Sequence, residues 1–215
     1  MKIGILGSAV VGQALAKAFI TEGHQVMVGT RNSSKEDLVQ LSRQTGASIG
    51  SFEQTAAFGE LLVLCTKGTG AHNALRLAKA DNLLSKIIID TTNPIASQPP
   101  DSGVLRFTTT LDWSLMEDLQ KEFPQARFVK AFSSVGSTLM YQPRFKGVKP
   151  SMFICGDDAN AKKTVGEILA SFGWETEDMG AAASARAIEP LAMLWCLPGF
   201  LHNEWNHAFK LLKQS

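Results

Sequence analysis

The fold is decided by residues 2–32, which read KIGILGSAVVGQALAKAFITEGHQVMVGTRN. The apolar run Ile3–Leu6 stops at a glycine turn, and apolar residues then recur at helical spacing until Gly23 ends the helix. A second apolar run follows at Val26–Val28. Strand, tight turn, helix and strand at this length predict one βαβ unit, whose helix N-terminus presents unpaired N–H groups that suit a pyrophosphate.

Strands and helices go on alternating along the first two-thirds of the chain. Continuous apolar runs at Leu61–Cys65, Lys86–Asp90 and Arg127–Phe132 predict strands covered on both faces. Helices are expected between them, and Ser33 and Ser34 are expected to cap one of these. The pattern predicts an α/β fold, a Rossmann-type doubly wound parallel sheet that forms an NADP-binding domain over residues 1–137.

The pattern of the C-terminal part, residues 138–215, predicts a small α+β and helical extension. We expect it to close the substrate site and to form a subunit interface, since its end looks too apolar for a free surface. Its predicted elements are a strand at Ser151–Cys155, a helix capped by Asp157 and Asp158, a strand at Trp174–Met179, and two helices at Ala183–Cys196 and Phe200–Leu212.

Composition limits the partners. The formal net charge is +1 and the mean hydropathy +0.02, so no nucleic acid or membrane partner is expected. The three cysteines are far apart and form no C-x-x-C pair, which predicts free thiols; His202 and His207 do not suggest a metal site, and none is expected. The N-terminus shows no signal-type segment, so we expect a cytoplasmic protein.

The glycine turn has the form G-x-A-x-x-G, with Ala9 at the middle glycine of the usual G-x-G-x-x-G. That glycine normally lets the backbone approach the pyrophosphate closely, so one methyl group must be accommodated. Between a strand and a helix, the turn predicts a dinucleotide site formed by Gly7, Ser8, Ala9, Val10, Val11 and Gly12.

The end of the second strand indicates which dinucleotide fits. An NAD site places an Asp or Glu there to accept from the ribose 2′-hydroxyl, and this chain has no acid at that place. Hydroxyls, a guanidinium and an ammonium suit a 2′-phosphate instead. The sequence therefore predicts NADP(H), held by Thr30, Arg31, Asn32, Ser33 and Lys35.

Other strand ends should meet at the same edge of the sheet. Further cofactor contacts are predicted at Cys65, Thr66, Lys67, Asn93 and Pro94. No catalytic acid or base is expected, because no Ser-His-Asp order and no paired carboxylate near a strand end is visible. Hydride transfer by positioning is predicted, with His72, Asn93, Ser133 and Ser134 as candidates for orienting the reactants.

Several segments together resemble the NADPH-dependent coenzyme F420 reductase family, in its soluble bacterial branch. The same fold serves as the cytosolic NADPH domain of six-transmembrane metalloreductases. The matching segments are residues 5–8 with Gly12, 23–32 (GHQVMVGTRN), 90–94 (DTTNP), 129–135 (VKAFSSV), 154–158 (ICGDD) with 161–163, 179–186 (MGAAASAR), and 189–192 through 209–212.

The resemblance implies that Thr30, Arg31 and Lys35 hold the 2′-phosphate and that residues 133–137 line the second site. It also implies direct hydride transfer between NADPH and a stacked flavin or deazaflavin. The deazaflavin reductases carry a histidine where this chain has Ser133 and a proline where it has Gly136. The resemblance therefore indicates the identity of the cofactor more directly than the identity of the hydride acceptor.

Three hypotheses follow. The first is an NADP-dependent oxidoreductase that passes hydride to a small-molecule acceptor, with coenzyme F420, FMN or FAD as co-substrate. The second is reduction of a small imine or carbonyl, as in pyrroline-5-carboxylate reductase. The third is a non-catalytic NADPH sensor. A homodimer is expected from the apolar C-terminal segment.

Overall fold

The computed structural model describes residues 1–214, and its central feature is a six-stranded parallel sheet. The strand order is β3-β2-β1-β4-β5-β6, and every neighbouring pair is parallel. The predicted Rossmann-type doubly wound sheet is thereby confirmed. The strands are β1 (Lys2–Leu6), β2 (Gln25–Gly29), β3 (Ser48–Gly50), β4 (Leu61–Leu64), β5 (Ile87–Asp90) and β6 (Arg127–Lys130).

Helices cover both faces of this sheet. Those that follow its strands are α1 (Val10–Thr21), α2 (Glu36–Thr45), α3 (Phe52–Phe58), α4 (Ala71–Ala78) and α5 (Leu115–Glu122). Alternate residues of one strand point to opposite faces. In β4, Val63 joins the apolar cluster with α1 and α2, whereas Leu62 and Leu64 join the cluster with α4 and α5. Burial on both sides explains why the central strands read as continuous apolar runs.

The strand order reverses between β1 and β4, which lie side by side at the centre of the sheet. The chain runs outward from β1 to β3 on one side and from β4 to β6 on the other. Loops leaving β1 and β4 therefore diverge and leave a crevice beyond the carboxyl ends of the strands. Ligands of doubly wound proteins bind in this crevice.

The C-terminal part adds a small second sheet. Strands β7 (Ser151–Ile154) and β8 (Glu175–Asp178) pair in parallel, and α6 (Ala159–Ser171) connects them. Phe172 packs on Phe19 of α1 with ring centroids 5.0 Å apart, so this part shares an apolar core with the first.

The prediction of a last helix at Phe200–Leu212 is wrong. A short helix α7 (Ala185–Ile188) leads into α8 (Pro190–His202), and residues 203–214 have no regular helix or strand. Asn203, at φ +56°, turns the chain, and the indole of Trp205 lies against Gly199, where a Cβ would leave no room. The backbone N–H of Ser151 then donates to the carbonyl of Phe209 at 2.9 Å. The apolar tail therefore packs beside β7.

Helix caps also differ in part from expectation. Lys35 is the N-cap of α2 with no side-chain cap bond, and Ser34 donates its backbone N–H and hydroxyl to Asn32 Oδ1 instead, so the predicted serine cap is wrong. Asp158 does cap α6, accepting from the backbone N–H of Ala161 at 2.7 Å. Its neighbour Asp157 accepts from the N–H of Ala182 at 2.9 Å.

Candidate functional site

The turn between β1 and α1 requires glycine at two positions. Gly7 has φ +132°, a region that side chains disfavour, and a Cβ there would lie 2.5 Å from the carbonyl oxygen of Cys65. A Cβ on Gly12 would lie 2.0 Å from the carbonyl oxygen of Gly7. These two glycines let the strand, the turn and the helix pack closely, so their primary role is geometric.

Ala9 is the N-cap of α1 and takes the place of the usual middle glycine. Its backbone is extended, at φ −82° and ψ −172°, so the methyl group causes no strain. The helix has no side-chain cap bond and no acid in its first turn. Its first backbone N–H groups and its dipole are therefore not neutralised by an acid of the helix itself, which suits a pyrophosphate.

The end of β2 places two cations beside this turn. Arg31 and Lys35 are both exposed, and within residues 1–214 neither forms an ion pair with a carboxylate. Thr30 is buried; its hydroxyl accepts from Ser8 Oγ at 3.1 Å and from the N–H of Asn32 at 3.1 Å. Thr30 thus ties the strand end to the glycine turn, whereas the cations are available to a ligand.

An outer cavity of about 700 Å³ opens along these elements. Phe52, Thr69, Gly70, Asn73 and Ala74 complete its wall. The predicted cofactor residues that line it are Gly7, Ser8, Ala9, Thr30, Arg31, Asn32, Lys35, Cys65, Thr66 and Lys67.

An inner cavity of about 380 Å³ adjoins the outer one across the loop after β4. Both cavities share Cys65, Thr66, Lys67 and Thr69, and the inner one adds Val11, Gly68, Thr91, Asn93 and residues 95–97. An elongated two-part crevice that crosses the strand-order reversal has the shape that a dinucleotide needs.

Four predicted cofactor residues lie outside both linings. Gly12 and Pro94 are buried, whereas Val10 is 69% exposed and Ser33 is also exposed. Their roles as direct cofactor contacts stay predictions.

The predicted orienting residues separate in the structure. Asn93 lines the inner cavity and donates from Nδ2 to the carbonyl of Ser133 at 2.7 Å. Ser133 and Ser134 are buried and line neither cavity. His72 also lies outside both linings, and its Nδ1 is 2.5 Å from Glu122 Oε2. Of the four, Asn93 is the one that the structure places at the crevice.

Cys65 lines both cavities, and its side chain belongs to the apolar core. It is 5% exposed, and burial raises its pKa to about 12. The group is therefore a neutral thiol at physiological pH and neither a nucleophile nor an effective proton donor. Cys65, Cys155 and Cys196 are all free thiols, as predicted.

A buried charged cluster stands at the ends of β5 and β6. Lys130 Nζ lies 2.7 Å from Asp90 Oδ2 and 2.9 Å from Glu189 Oε1, and donates to the carbonyl of Thr92 at 2.8 Å. All three ionic side chains are at most 2% exposed. Burial alone would lower the pKa of Lys130, but the two carboxylates outweigh it and raise the pKa. The lysine is therefore charged.

Sequence reasoning missed this cluster, and the expectation of no paired carboxylate near a strand end is wrong. The signal was present: Asp90 ends β5, Lys130 ends β6, and the two are Cα partners in the parallel register. Glu189 could not be found this way, since it is distant in sequence and accepts from the N–H groups of Leu115 and Met116 at the start of α5.

None of the described helices is long and apolar enough to cross a membrane. No group of three or more His, Cys, Asp or Glu side chains in the described residues could hold a metal ion.

The arrangement fits NADP(H). The glycine turn and the uncapped α1 suit a pyrophosphate, the cations after β2 suit a 2′-phosphate, and the inner cavity offers space for the far end of a dinucleotide. When bound, this cofactor supplies a hydride donor or acceptor.

Comparison with known proteins agrees with this geometry. The family model described as coenzyme F420-dependent NADP oxidoreductase matches residues 2–94, which include β1 to β5. The rat metalloreductase STEAP3 is 30% identical over 209 residues, or 93% of this chain. The chain spans 39% of the length of that relative.

Solved structures extend the likeness beyond the matched segment. A candidate F420-dependent NADP reductase from Arthrobacter sp. FB24 superposes with a TM-score of 0.92 and 32% identity, over 99% of this chain and 100% of that one. A Streptomyces aurantiacus imine reductase, 16% identical, shares the fold with a TM-score of 0.69 over 94% of this chain and 63% of its own. The chain therefore belongs to the family of coenzyme F420-dependent NADP oxidoreductases.

Proposed function

We propose that this NADP-dependent oxidoreductase transfers a hydride directly between the nicotinamide and a flavin or deazaflavin such as coenzyme F420, FMN or FAD. The observation that carries the proposal is the chemistry of the inner cavity. Among the described residues, its ionisable side chains are Cys65, a neutral thiol, and Lys67. Its other polar side chains are hydroxyls and the amide of Asn93.

This lining distinguishes between classes of acceptor. Reduction of a carbonyl leaves an alkoxide that needs a proton, and a dedicated reductase positions a general acid for it. Within residues 1–214, the lining has no His, Asp, Glu or Tyr, and we assign its one ammonium, on the exposed Lys67, to the pyrophosphate. A conjugated flavin or deazaflavin ring accepts a hydride and spreads the charge over its own atoms. A site that orients two ring systems and excludes water suffices for that reaction.

Cofactor preference is proposed from the strand end of β2. Arg31 and Lys35 offer charge-assisted donors to a 2′-phosphate, and no acid stands there to accept from a 2′-hydroxyl. Lys67 is exposed and lines both cavities, so its ammonium is placed to neutralise the pyrophosphate.

Titration of the protein with NADPH and with NADH, followed by fluorescence, tests the cofactor assignment. We expect NADPH to bind more tightly by one to two orders of magnitude. Equal affinities, or tighter NADH, would contradict the proposed 2′-phosphate site.

A second assay identifies the acceptor. NADPH oxidation is followed against coenzyme F420, FMN, FAD, ferric chelates and pyrroline-5-carboxylate. Reduction of a flavin or deazaflavin is the expected result. Turnover of pyrroline-5-carboxylate alone would favour an imine reductase, and cofactor binding without any turnover would favour a sensor. The expected cytoplasmic location and the homodimer remain proposals, the latter tested by sedimentation.

A further inference from the structure

Two buried polar side-chain atoms, on residues that line the inner cavity, have no hydrogen-bond partner among residues 1–214. They are Oγ1 of Thr66, in the loop after β4, and Oδ1 of Asn93, in the loop after β5, and both atoms are buried. Buried polar atoms without partners are costly and rare in native proteins. Their occurrence on residues that line a cavity indicates groups that bind a ligand.

The orientation of the Asn93 side chain is fixed by a hydrogen bond to the backbone. Its Nδ2 donates to the carbonyl of Ser133 at 2.7 Å, so Oδ1 is the atom that remains, and it can only accept. The preceding residue is also held, because the carbonyl of Thr92 accepts from Lys130 Nζ and its N–H donates to Asp90 Oδ1 at 2.9 Å. The acceptor is therefore preorganised.

The two loops touch each other. A Cβ on Gly68 would lie 2.0 Å from the backbone carbonyl oxygen of Asn93, so only glycine permits this contact. It brings the loop that carries Thr66 against the loop that carries Asn93. One cavity is therefore lined by a residue with an unpaired acceptor, from the loop after β5, and by a residue with an unpaired hydroxyl, which can donate, from the loop after β4.

We propose that Asn93 and Thr66 together read the carboxamide of the nicotinamide. Asn93 Oδ1 accepts from the amide NH₂, and the Thr66 hydroxyl donates to the amide oxygen. The inference rests on the proposed function, which places the nicotinamide in the inner cavity, across the glycine turn from the 2′-phosphate. A nicotinamide ring whose nitrogen carries ribose has the carboxamide as its hydrogen-bonding substituent, with one donor group and one acceptor. Holding it fixes which ring face meets the second substrate.

The test compares two oxidised dinucleotides by calorimetry, so that no turnover is needed. NADP⁺ is set against its 3-acetylpyridine analogue, which has a methyl group in place of the amide NH₂ and keeps the carbonyl. Wild-type protein should prefer NADP⁺ by about tenfold, since the analogue leaves Asn93 Oδ1 unpaired. Asn93→Ala should bind the two ligands equally.

Thr66→Val is the matched counterpart. Both ligands carry the carbonyl, so this variant should weaken both by about tenfold and keep the preference for NADP⁺. Asn160→Ala, an exposed position on α6, is the control and should match the wild type. Circular dichroism verifies the fold of each variant.

The outcomes separate this inference from the proposed function. The inference is overturned if folded Asn93→Ala still prefers NADP⁺ to the analogue. It is also overturned if the wild type binds the two dinucleotides equally, a result that needs no variant. Failure of the wild type to bind either dinucleotide would instead overturn the proposed function.

Discussion

Cations stand at two places on the carboxyl edge of the same sheet, and they differ in burial and in ionic partners. At the end of β2, Arg31 and Lys35 are exposed and have no carboxylate partner in the described chain. At the end of β6, Lys130 is fully buried and contacts Asp90 and Glu189.

The difference separates ligand binding from folding. A buried ammonium that already contacts two carboxylates and a backbone carbonyl is not available to a ligand, and it joins β5, β6 and the residue before α8. Exposed cations without partners contribute little to stability but keep their donors for a phosphate. The position of a cation at the sheet edge therefore does not decide whether it can bind a ligand. What decides it is whether a carboxylate of the protein already pairs with that cation.

The largest effect is expected when the buried cluster is broken. Lys130→Met leaves two buried carboxylates uncompensated and should lower the free energy of unfolding by about 3–5 kcal/mol. Urea unfolding at pH 7 measures it. Lys210→Met, which breaks an exposed pair with Glu175, is the control and should cost far less. Adding Asp90→Asn and Glu189→Gln to Lys130→Met should recover part of the loss; no recovery would show that charge is not the cause.

The next effect concerns the cofactor. Arg31→Ala should weaken NADPH binding by about 10- to 100-fold, because charge-assisted hydrogen bonds contribute about 1.5–3 kcal/mol, and should hardly change NADH binding. Fluorescence titration measures both. Arg43→Ala, also exposed on α2, is the matched control. An equal loss for both cofactors would place Arg31 away from the 2′-phosphate.

An intermediate case is the pair of Glu117 and Arg186, with Nη2 2.6 Å from Oε1 and the glutamate 15% exposed. The arginine hydrogen bonds hold the pKa of Glu117 below its ordinary 4.5. Because the folded-state pKa is depressed, its stabilisation is fully present above pH 4.5 and is lost as the pH falls through the lower value.

Glu117→Gln should therefore reduce stability at pH 7 by less than Lys130→Met does, and the gap to wild type should narrow below pH 4.5. Urea midpoints from pH 7 to pH 3 measure this. A gap that stays constant with pH would exclude the ion pair as its source.

The smallest effect is expected at Lys35. Lys35→Ala removes one exposed ammonium beside the proposed phosphate site and should weaken NADPH binding by about two- to fivefold, with a dependence on ionic strength. Titrations at low and high salt measure it, and Lys17→Ala on α1 is the control. A loss as large as that of Arg31→Ala would mean that Lys35 contributes as much to phosphate binding as the guanidinium does.

Much of the fold and of the outer cavity could be read from the chain. Val63 and its neighbours predicted a strand buried on both faces, and the absent acid after β2 predicted a phosphate. The final helix could not be predicted correctly, because apolar residues of the segment 203–214 pack on the rest of the chain without forming a helix: Trp205 packs on α8, and Phe209 and Leu211 lie beside β7. Apolar content predicts burial, and tertiary contacts choose the conformation.

By itself, the sequence determined the βαβ unit and the parallel sheet, because local periodicity and glycine placement depend on neighbours within a few residues. The family was indicated by the resemblance of several segments to it. Only the tertiary structure decided that Glu189 joins Asp90 at Lys130 and that Thr66 and Asn93 face one cavity. These contacts join loops far apart along the chain, and whether a polar atom finds a partner depends on the packing of the whole molecule.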